Sequence, residues 1–578
     1  MTFPRTATRI ALGVLLAVPT LAQAQAAAAA VRGAGPAAEL PRKYTGKPTT
    51  APISPADLMT RLYIYADDSL MGRQVGTEYN LRATAYIERE VRRLGLVPAG
   101  EAGGYFQNIP LFTNYTDTAA SSMKIGDQTL AFGTDYLPVP RADRTIALDG
   151  VPVVYGGVSA DSSTWPTADA VKGKLVVLTV ANVPGPMRAI FSDSSRFGGV
   201  AALLVVGLQR LPAEVVPQIA RSSALRESAA PSTAPSTILI TPRVASMLLG
   251  SLEGLKSGAA GKALSGSIVL REERGPGRNV VAILPGSDPA LKGQYVALGA
   301  HNDHIGFDHE PVDHDSVKAY MAVARPQGAD SPTGAPVSAE QAARIRRMID
   351  SLHKVHGVRL DSIYNGADDD GSGSVSVLEI AEALSSAPVK PKRSILFVWH
   401  TGEEAGLYGS EYFTDNPTVP RDSIVAQLNI DMIGRGGAND ITGEAKGGGD
   451  LHGGPGYVQL VGSRRLSTEL GDLIEDVNKT SKLGLNFDYA IDANGHPQNI
   501  YCRSDHYEYA RYGIPVVFFT TGGHADYHQV TDEPQYIDYG RMAQVATLVR
   551  DSALRIANLD HRVVVDKPKP DPKGACVQ

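Results

Sequence analysis

Cysteine is nearly absent from this 578-residue chain. Two residues, Cys502 and Cys576, are too few for a disulfide scaffold or a multi-thiolate zinc site. No apolar run reaches the roughly 18 residues of a membrane span, so no integral membrane segment is expected. Basic residues form no block and the formal charge is −6, which argues against a nucleic-acid partner. The 59 glycines and 38 prolines follow no G-X-Y period, which excludes a collagen-like chain. A composition 43% apolar and 20% charged excludes wholesale disorder, and the length suits two or three domains.

What is present is strongly ordered along the chain. Arg5 and Arg9 precede the apolar stretch Ile10 to Ala22, and Ala22-Gln23-Ala24 has the small-x-small form of a signal-peptidase site. Residues 1–24 therefore read as a removed signal peptide, and the protein as exported, either periplasmic or secreted. In such a compartment Cys502 and Cys576 are free to pair, which the sequence alone does not decide. Residues 25–50 read as a flexible leader. Ser54-Pro55 predicts a helix start, and a second helix runs from Glu78 to Leu94 and stops at Gly95. These helices belong to a segment, 51–115, that forms the amino-terminal part of the main domain.

The texture then changes twice. From 116 to 274 short β-type runs (Val151–Tyr155, Lys174–Val180, Ala201–Val206, Ser236–Ile240) are separated by Ser, Gly and Pro clusters, including a low-complexity loop at Ser222–Ser236. This is a β-rich insert. From 275 to 560 near-continuous apolar strands alternate with helices: Asn279–Leu284, Tyr295–Gly299, Ser394–Trp399, Val425–Ile430 and Ile514–Phe519. That pattern predicts an α/β fold with a mixed, mostly parallel sheet and helices on both faces. Residues 305–362 are polar, with an amphipathic helix at Ser338–His356, and read as a lid-like insertion. Residues 561–578 read as a surface tail.

Open parallel sheets bind ligands beyond the carboxyl ends of their strands. Five segments deliver acids or histidines there: His301-Asn302-Asp303-His304, Gly366 to Gly373 with Asp368-Asp369-Asp370, Glu403-Glu404, Asp431, and His524 to His528. Imidazole and carboxylate without thiolate suit zinc or another first-row divalent ion. At least two histidines and three carboxylates are enough for two ions sharing one carboxylate. Glu403 and Glu404, adjacent on a turn, suit a division between proton transfer and metal binding.

These motifs, taken in order with Thr401-Gly402-Glu403-Glu404-Ala405-Gly406, Asn429-Ile430-Asp431-Met432 and Tyr527-His528, resemble those of the co-catalytic dizinc aminopeptidases, a family that includes aminopeptidase Y and the glutamate carboxypeptidases. The insert resembles that family's protease-associated domain, most recognisably at Gly198 to Ala202. The resemblance implies two Zn²⁺ per chain, with Asp369 bridging and the Asp369–Asp370 peptide cis. His301 and Asp431 would complete one zinc site, Glu404 and His528 the other. Glu403 would be the general base, Tyr527 an oxyanion donor, and Asp303 a residue orienting His301. Asp370, beside the bridging carboxylate, would support it from behind. Peptides would be the substrates, cleaved at a free amino terminus.

Several competing assignments follow from the same residues. Asp368 to Glu379 fits a calcium EF-hand loop, but no helix pattern precedes it and no second loop exists. His524 competes with His528 as the last ligand. His304, His309, His314 and His506 read as polar loop or pocket residues, and Arg435 as a substrate contact or a surface ion pair. A carboxypeptidase or dipeptidase would need basic groups for substrate carboxylates, with Arg325, Arg344, Arg346 and Arg347 as candidates; for the last three a solvated helix face is favoured. A glutaminyl cyclase is disfavoured because the two-metal set is complete. A non-catalytic receptor on the same fold is disfavoured because every ligand and the base are present.

Overall fold

A computed structural model describes residues 40–140, 143–159, 161–180, 197–211, 216–225, 235–332 and 336–578. The expected signal peptide and residues 25–39 of the leader lie outside these residues, as does 226–234 of the low-complexity loop. Residues 43–578 form one compact unit, and residues 40–42 before it carry no helix or strand.

The organising element is a nine-stranded sheet. Its strands are β1 (Val97–Pro98), β2 (Phe106–Asn108), β3 (Arg278–Leu284), β4 (Tyr295–His301), β5 (Ser394–His400), β6 (Ile424–Ile430), β7 (Tyr457–Val461), β8 (Asn486–Asp488) and β9 (Val516–Thr520). The order is β1-β3-β5-β4-β6-β9-β7-β8, with β2 also on β3. The four central strands β5, β4, β6 and β9 are parallel, whereas β3 and β7 pair antiparallel to them. The sheet is thus mixed with a parallel centre. All seven residues of β5 and of β6 are buried, which is why these strands read as near-continuous apolar runs.

Helices cover both faces. They include α1 (Pro55–Tyr65), α2 (Glu78–Arg93), α3 (His314–Ala324), α4 (Ala339–His356), α5 (Gly373–Ser386), α6 (Tyr408–Asp415), α7 (His506–Ala510) and α8 (Tyr539–Ala557). On one face α5 and α8 pack on β4, joined by α1 and α2. On the other, Phe413 of α6 and Tyr509 of α7 join Leu396, Val398 and Phe518 in a single cluster. Alternation along β5 places Leu396 and Val398 there, while Trp399 turns back and donates from Nε1 to the Ser374 carbonyl of α5 at 3.0 Å.

Local chemistry fixes the helix starts. Ser54 Oγ accepts from Asp57 N at 3.1 Å with Pro55 in the first turn. α4 begins with a capping box between Ser338 and Gln341. It matches the amphipathic helix foreseen in the polar insertion; α3, in the same insertion, was not legible.

The β-rich segment forms two sheets of its own. One orders Tyr136–Val139, Thr237–Ile240, Ala202–Val206, Leu175–Thr179 and Val153–Val158; the other is built around the long strand Leu264–Arg274. Leu111–Thr116 pairs with that long strand, so the sheet begins five residues before the expected boundary at 116. The tail is tied down rather than loose. Cys576 is disulfide-bonded to Cys502, and the buried Gln578 side chain accepts from Tyr501 N at 2.9 Å.

Candidate metal centre

The parallel register carries the site. His301 ends β4 opposite His400 of β5, Asp431 directly follows β6, and the loop after β9 carries Tyr527 and His528. The turn after β5 brings Glu403 and Glu404, and the segment entering α5 brings Asp368, Asp369 and Asp370. The Asp369–Asp370 peptide is cis. Gly373 must be glycine here, because a Cβ would lie 2.3 Å from Asp370 Oδ1 and 2.4 Å from the Ile430 carbonyl. Met432 and His528 hold positive φ angles of 59° and 55°, strained backbone flanking the centre on two sides.

The two oxygens of Asp369 face two different imidazoles. Oδ1 lies 3.1 Å from His301 Nε2, and Oδ2 lies 3.0 Å from His528 Nε2. Asp431 Oδ1 stands 3.7 Å from His301 Nε2 on the first side, and Glu404 Oε2 stands 2.9 Å from His528 Nε2 on the second. The five expected ligands therefore fall into two groups that share Asp369. His304 joins the second group: it is buried, with Nδ1 2.7 Å from Glu404 Oε1 and 3.7 Å from Asp369 Oδ2. The sequence reads it as a polar loop or pocket residue, not as a ligand. Its position one residue past Asp303 in a buried turn was the available signal.

The surrounding residues fix these side chains. Asp370 Oδ2 accepts from His301 N at 3.0 Å and Oδ1 from Gly373 N at 2.8 Å. Ser504 Oγ donates to Asp431 Oδ2 at 2.7 Å, a partner that no pattern in the sequence pointed to. Asp303 acts differently from expectation. Its backbone carbonyl, not its carboxylate, sits nearest His301 Nδ1 at 3.1 Å, while Oδ1 accepts from Gly402 N at 2.7 Å and Glu403 N at 3.2 Å. It holds the Glu403 turn.

Burial and crowding set the electrostatics. Burial opposes ionisation of Asp369, yet the adjoining imidazoles of His301 and His528 hold its carboxyl well below the usual range. Glu404 is likewise held down to about 2: burial and Asp369 oppose ionisation, and His528 and His304 overcome them. Burial pushes Glu403 well up despite the opposing His301, helped by Glu404 and Asp431. The set offers oxygen and imidazole donors only, and His301 Nε2, His304 Nε2 and His528 Nε2 are buried without a hydrogen-bond partner. That chemistry fits zinc at two adjoining positions.

Other candidates are disposed elsewhere. His524 Nε2 faces Asp368 Oδ2 at 3.2 Å, away from Asp369. His506 stacks on Phe518 and burial lowers its pKa to about 3. The EF-hand assignment fails on geometry. Glu379, which would be its twelfth residue, lies inside α5 with Oε2 2.9 Å from Arg61 Nε, and Asp368 Oδ1 accepts from Gly434 N instead. Arg435 forms a sheltered pair with Asp526 at 2.7 Å, not a surface pair. Arg344, Arg346 and Arg347 are exposed on α4. His314, Asp361 and Glu533 form a third cluster, in which the Arg359 guanidinium already contacts His314 and Glu533.

A cavity of about 680 Å³, counted to its open mouth, includes Asp369, Glu403, Glu404, Asp431 and Tyr527 in its wall. Arg503, unforeseen from the sequence, lies at this wall. It pairs with Asp330 at 2.8 Å and donates to Tyr527 Oη at 3.4 Å.

The α/β sheet thus carries, at the carboxyl edge of its parallel strands, two donor clusters that share one carboxylate. Residues 279–553 match the model of peptidase family M28. The chain is 33% identical over 182 residues to leupeptin-inactivating enzyme 1 of Streptomyces exfoliatus, a match covering 31% of this chain and 34% of that protein. It is 42% identical over 81 residues to an aminopeptidase of Pseudomonas aeruginosa strain UCBPP-PA14, covering 14% of this chain and 15% of the other. These curated relatives are thus matched over a third of their length or less. BSAP, a zinc aminopeptidase from Bacillus subtilis, has a structure matching 87% of this chain and 95% of its own, with a TM-score of 0.49 and 16% identity.

Proposed function

We propose that this protein is an exported zinc-dependent exopeptidase that hydrolyses the amino-terminal peptide bond of peptides. The observation that carries the reading is the division of Asp369, whose two oxygens face His301 with Asp431 on one side and His528 with Glu404 on the other. These five residues would hold two Zn²⁺ ions. When bound, such ions polarise the scissile carbonyl and acidify the attacking water.

The chain's own groups do the rest. Glu403 is outside both donor groups but in the same cavity wall, and Asp303 fixes its turn through two N–H groups. It takes the proton from water and returns it to the leaving amine. Tyr527 Oη, steadied by Arg503, donates to the carbonyl oxygen as negative charge develops there. Asp370 and Ser504 keep the first donor group in place through His301 N and the Asp431 carboxylate. The acidic cluster favours a substrate that brings a positive α-amine. Arg503 supports a second reading, a carboxypeptidase or dipeptidase, because a guanidinium at the cavity wall suits a substrate carboxylate. Its pairing with Asp330 already neutralises it, which favours the aminopeptidase.

Two further assignments accompany this reading. The sheets of residues 111–274 are proposed to be a protease-associated insert. Export is supported by the signal-peptide pattern of residues 1–24 and by the Cys502–Cys576 bond, a linkage that persists in oxidising compartments. Among the described residues no helix is long and apolar enough to cross a membrane.

Elemental analysis and a substrate panel test the proposal together. About two zinc per chain and cleavage of free-amino peptides are expected, with amino-blocked peptides untouched. Carboxyl-terminal release from blocked peptides would move the assignment to the second reading. A single tightly held calcium would end both.

A further inference from the structure

The polar insertion reaches the cavity wall through Gln327 and Asp330. After α3 the chain makes a short turn, Gly328–Asp330, packed directly on the loop that carries Tyr527. Ala329 N donates to the Tyr527 carbonyl at 3.1 Å. Gly328 holds a φ of 58°, and a Cβ there would lie 2.4 Å from the same carbonyl oxygen. The buried Ser331 closes the turn, its Oγ accepting from Gln327 N at 2.9 Å. The backbone of the turn is therefore fixed against the active-site loop, and Asp330 is carried with it.

Asp330 meets Arg503 through both of its oxygens. Arg503 Nη1 donates to Oδ2 at 2.8 Å and Nη2 to Oδ1 at 3.1 Å, the fork by which a guanidinium holds a carboxylate. Nη2 also reaches Tyr527 Oη at 3.4 Å. The pair is accessible, with the two side chains 38% and 32% exposed. The other charged residues described in this wall, Asp369, Glu403, Glu404 and Asp431, are carboxylates. Arg503 is thus the group there that suits a substrate carboxylate, and Asp330 already fills it.

We propose that Asp330 is a specificity-determining residue that turns the site away from dipeptides and toward longer peptides, by occupying the guanidinium that would otherwise hold a carboxylate beside the scissile bond. The inference rests on the exopeptidase reading and names its substrate class. In a dipeptide only the peptide nitrogen and an α-carbon lie between the scissile carbonyl and the terminal carboxylate. With the carbonyl oxygen at Tyr527 Oη, that carboxylate comes within reach of Arg503 and meets the like charge of Asp330. A longer peptide puts an uncharged amide in the same place. Its carbonyl can accept from the N–H groups that Arg503 has left over, without displacing Asp330.

The test uses the zinc-loaded full chain with two substrate pairs, leucylglycine with its amide and leucylglycylglycine with its amide. In the wild type the dipeptide amide is expected to exceed the dipeptide in kcat/KM by roughly tenfold. In Asp330→Asn that ratio should fall to about one or below, because the freed guanidinium now attracts the carboxylate. The tripeptide pair, whose carboxylate lies a residue further out, should keep its ratio in both proteins. Each ratio is taken within one protein, so a preparation partly inactivated by a loosened turn does not blur it. A wild-type dipeptide ratio at or below one, a ratio unchanged in Asp330→Asn, or an equal shift in both pairs overturns the inference and leaves the exopeptidase reading intact. No turnover of any of these substrates by the wild type overturns both.

Discussion

Helix α5 separates two buried ionic clusters that have opposite logic. At its amino-terminal end lie Asp369, Glu404, Asp431 and Glu403 with His301, His304 and His528. Along its length Glu379 and Glu382 meet Arg61, which also reaches Glu90 at 2.9 Å, while Arg93 bonds both Glu90 and Glu382. The second cluster closes on itself: each of its three carboxylates meets a guanidinium, and Glu382 also accepts from the Thr49 hydroxyl. The first does not close. His304 Nδ1 bonds Glu404, but His301 Nε2 and His528 Nε2 lie beside carboxylates without a hydrogen-bond partner, and the acids outnumber any permanent cation. A closed cluster holds α1, α2 and α5 together; an open one is built to be completed from outside.

Breaking each cluster in turn should separate activity from stability. Glu403→Gln removes the proton carrier while sparing both donor groups. Turnover should drop on the order of 10³-fold with zinc content and thermal midpoint nearly unchanged. A variant retaining a tenth of wild-type kcat would exclude Glu403 from that role. Arg61→Met acts on the other cluster. It strands the buried Glu379 and leaves Glu382 and Glu90 to the Arg93 guanidinium, and urea unfolding should show a loss of about 3–5 kcal/mol. The residual folded protein should still bind zinc, and chelation should lower its midpoint by as much as in the wild type, since the clusters share no partner. Loss of chelator sensitivity in Arg61→Met would show that the two clusters are coupled.

The contrast between these clusters also explains what the sequence disclosed. The central strands were legible to within about two residues because they are buried on both faces, and Tyr295–His301, Ser394–His400 and Ile424–Ile430 read as near-continuous apolar runs. Strand β7, Tyr457–Val461, was not read from the sequence. The donor residues were legible because each follows a strand or opens a helix. Their supports were not: Ser504 and Arg503 lie on an irregular stretch before the short helix α7, far in sequence from the carboxylates they serve. Asp303 was found but misread, because only the folded turn shows its carboxylate facing the Gly402 and Glu403 N–H groups. The Arg61 cluster left no local trace, joining residues about 320 positions apart.

The closed cluster is nevertheless imperfect at one atom, and pH should expose it. Glu379 Oε1 is buried without a partner, although Oε2 meets Arg61. Burial therefore pushes the Glu379 pKa up to about 7, against the pull of Arg61. A folded-state pKa above the unfolded one favours folding while the group is protonated. The contribution is complete below about 4.5 and is lost as pH rises through about 7. Wild-type stability should accordingly fall between pH 5 and pH 8, relative to Glu379→Gln, by about 1–2 kcal/mol. Paired denaturant titrations at the two pH values measure this difference, which is the smallest effect considered and the most specific to the closed cluster. Parallel profiles for the two proteins would show that Arg61 fully compensates Glu379, making that cluster neutral to pH in this range.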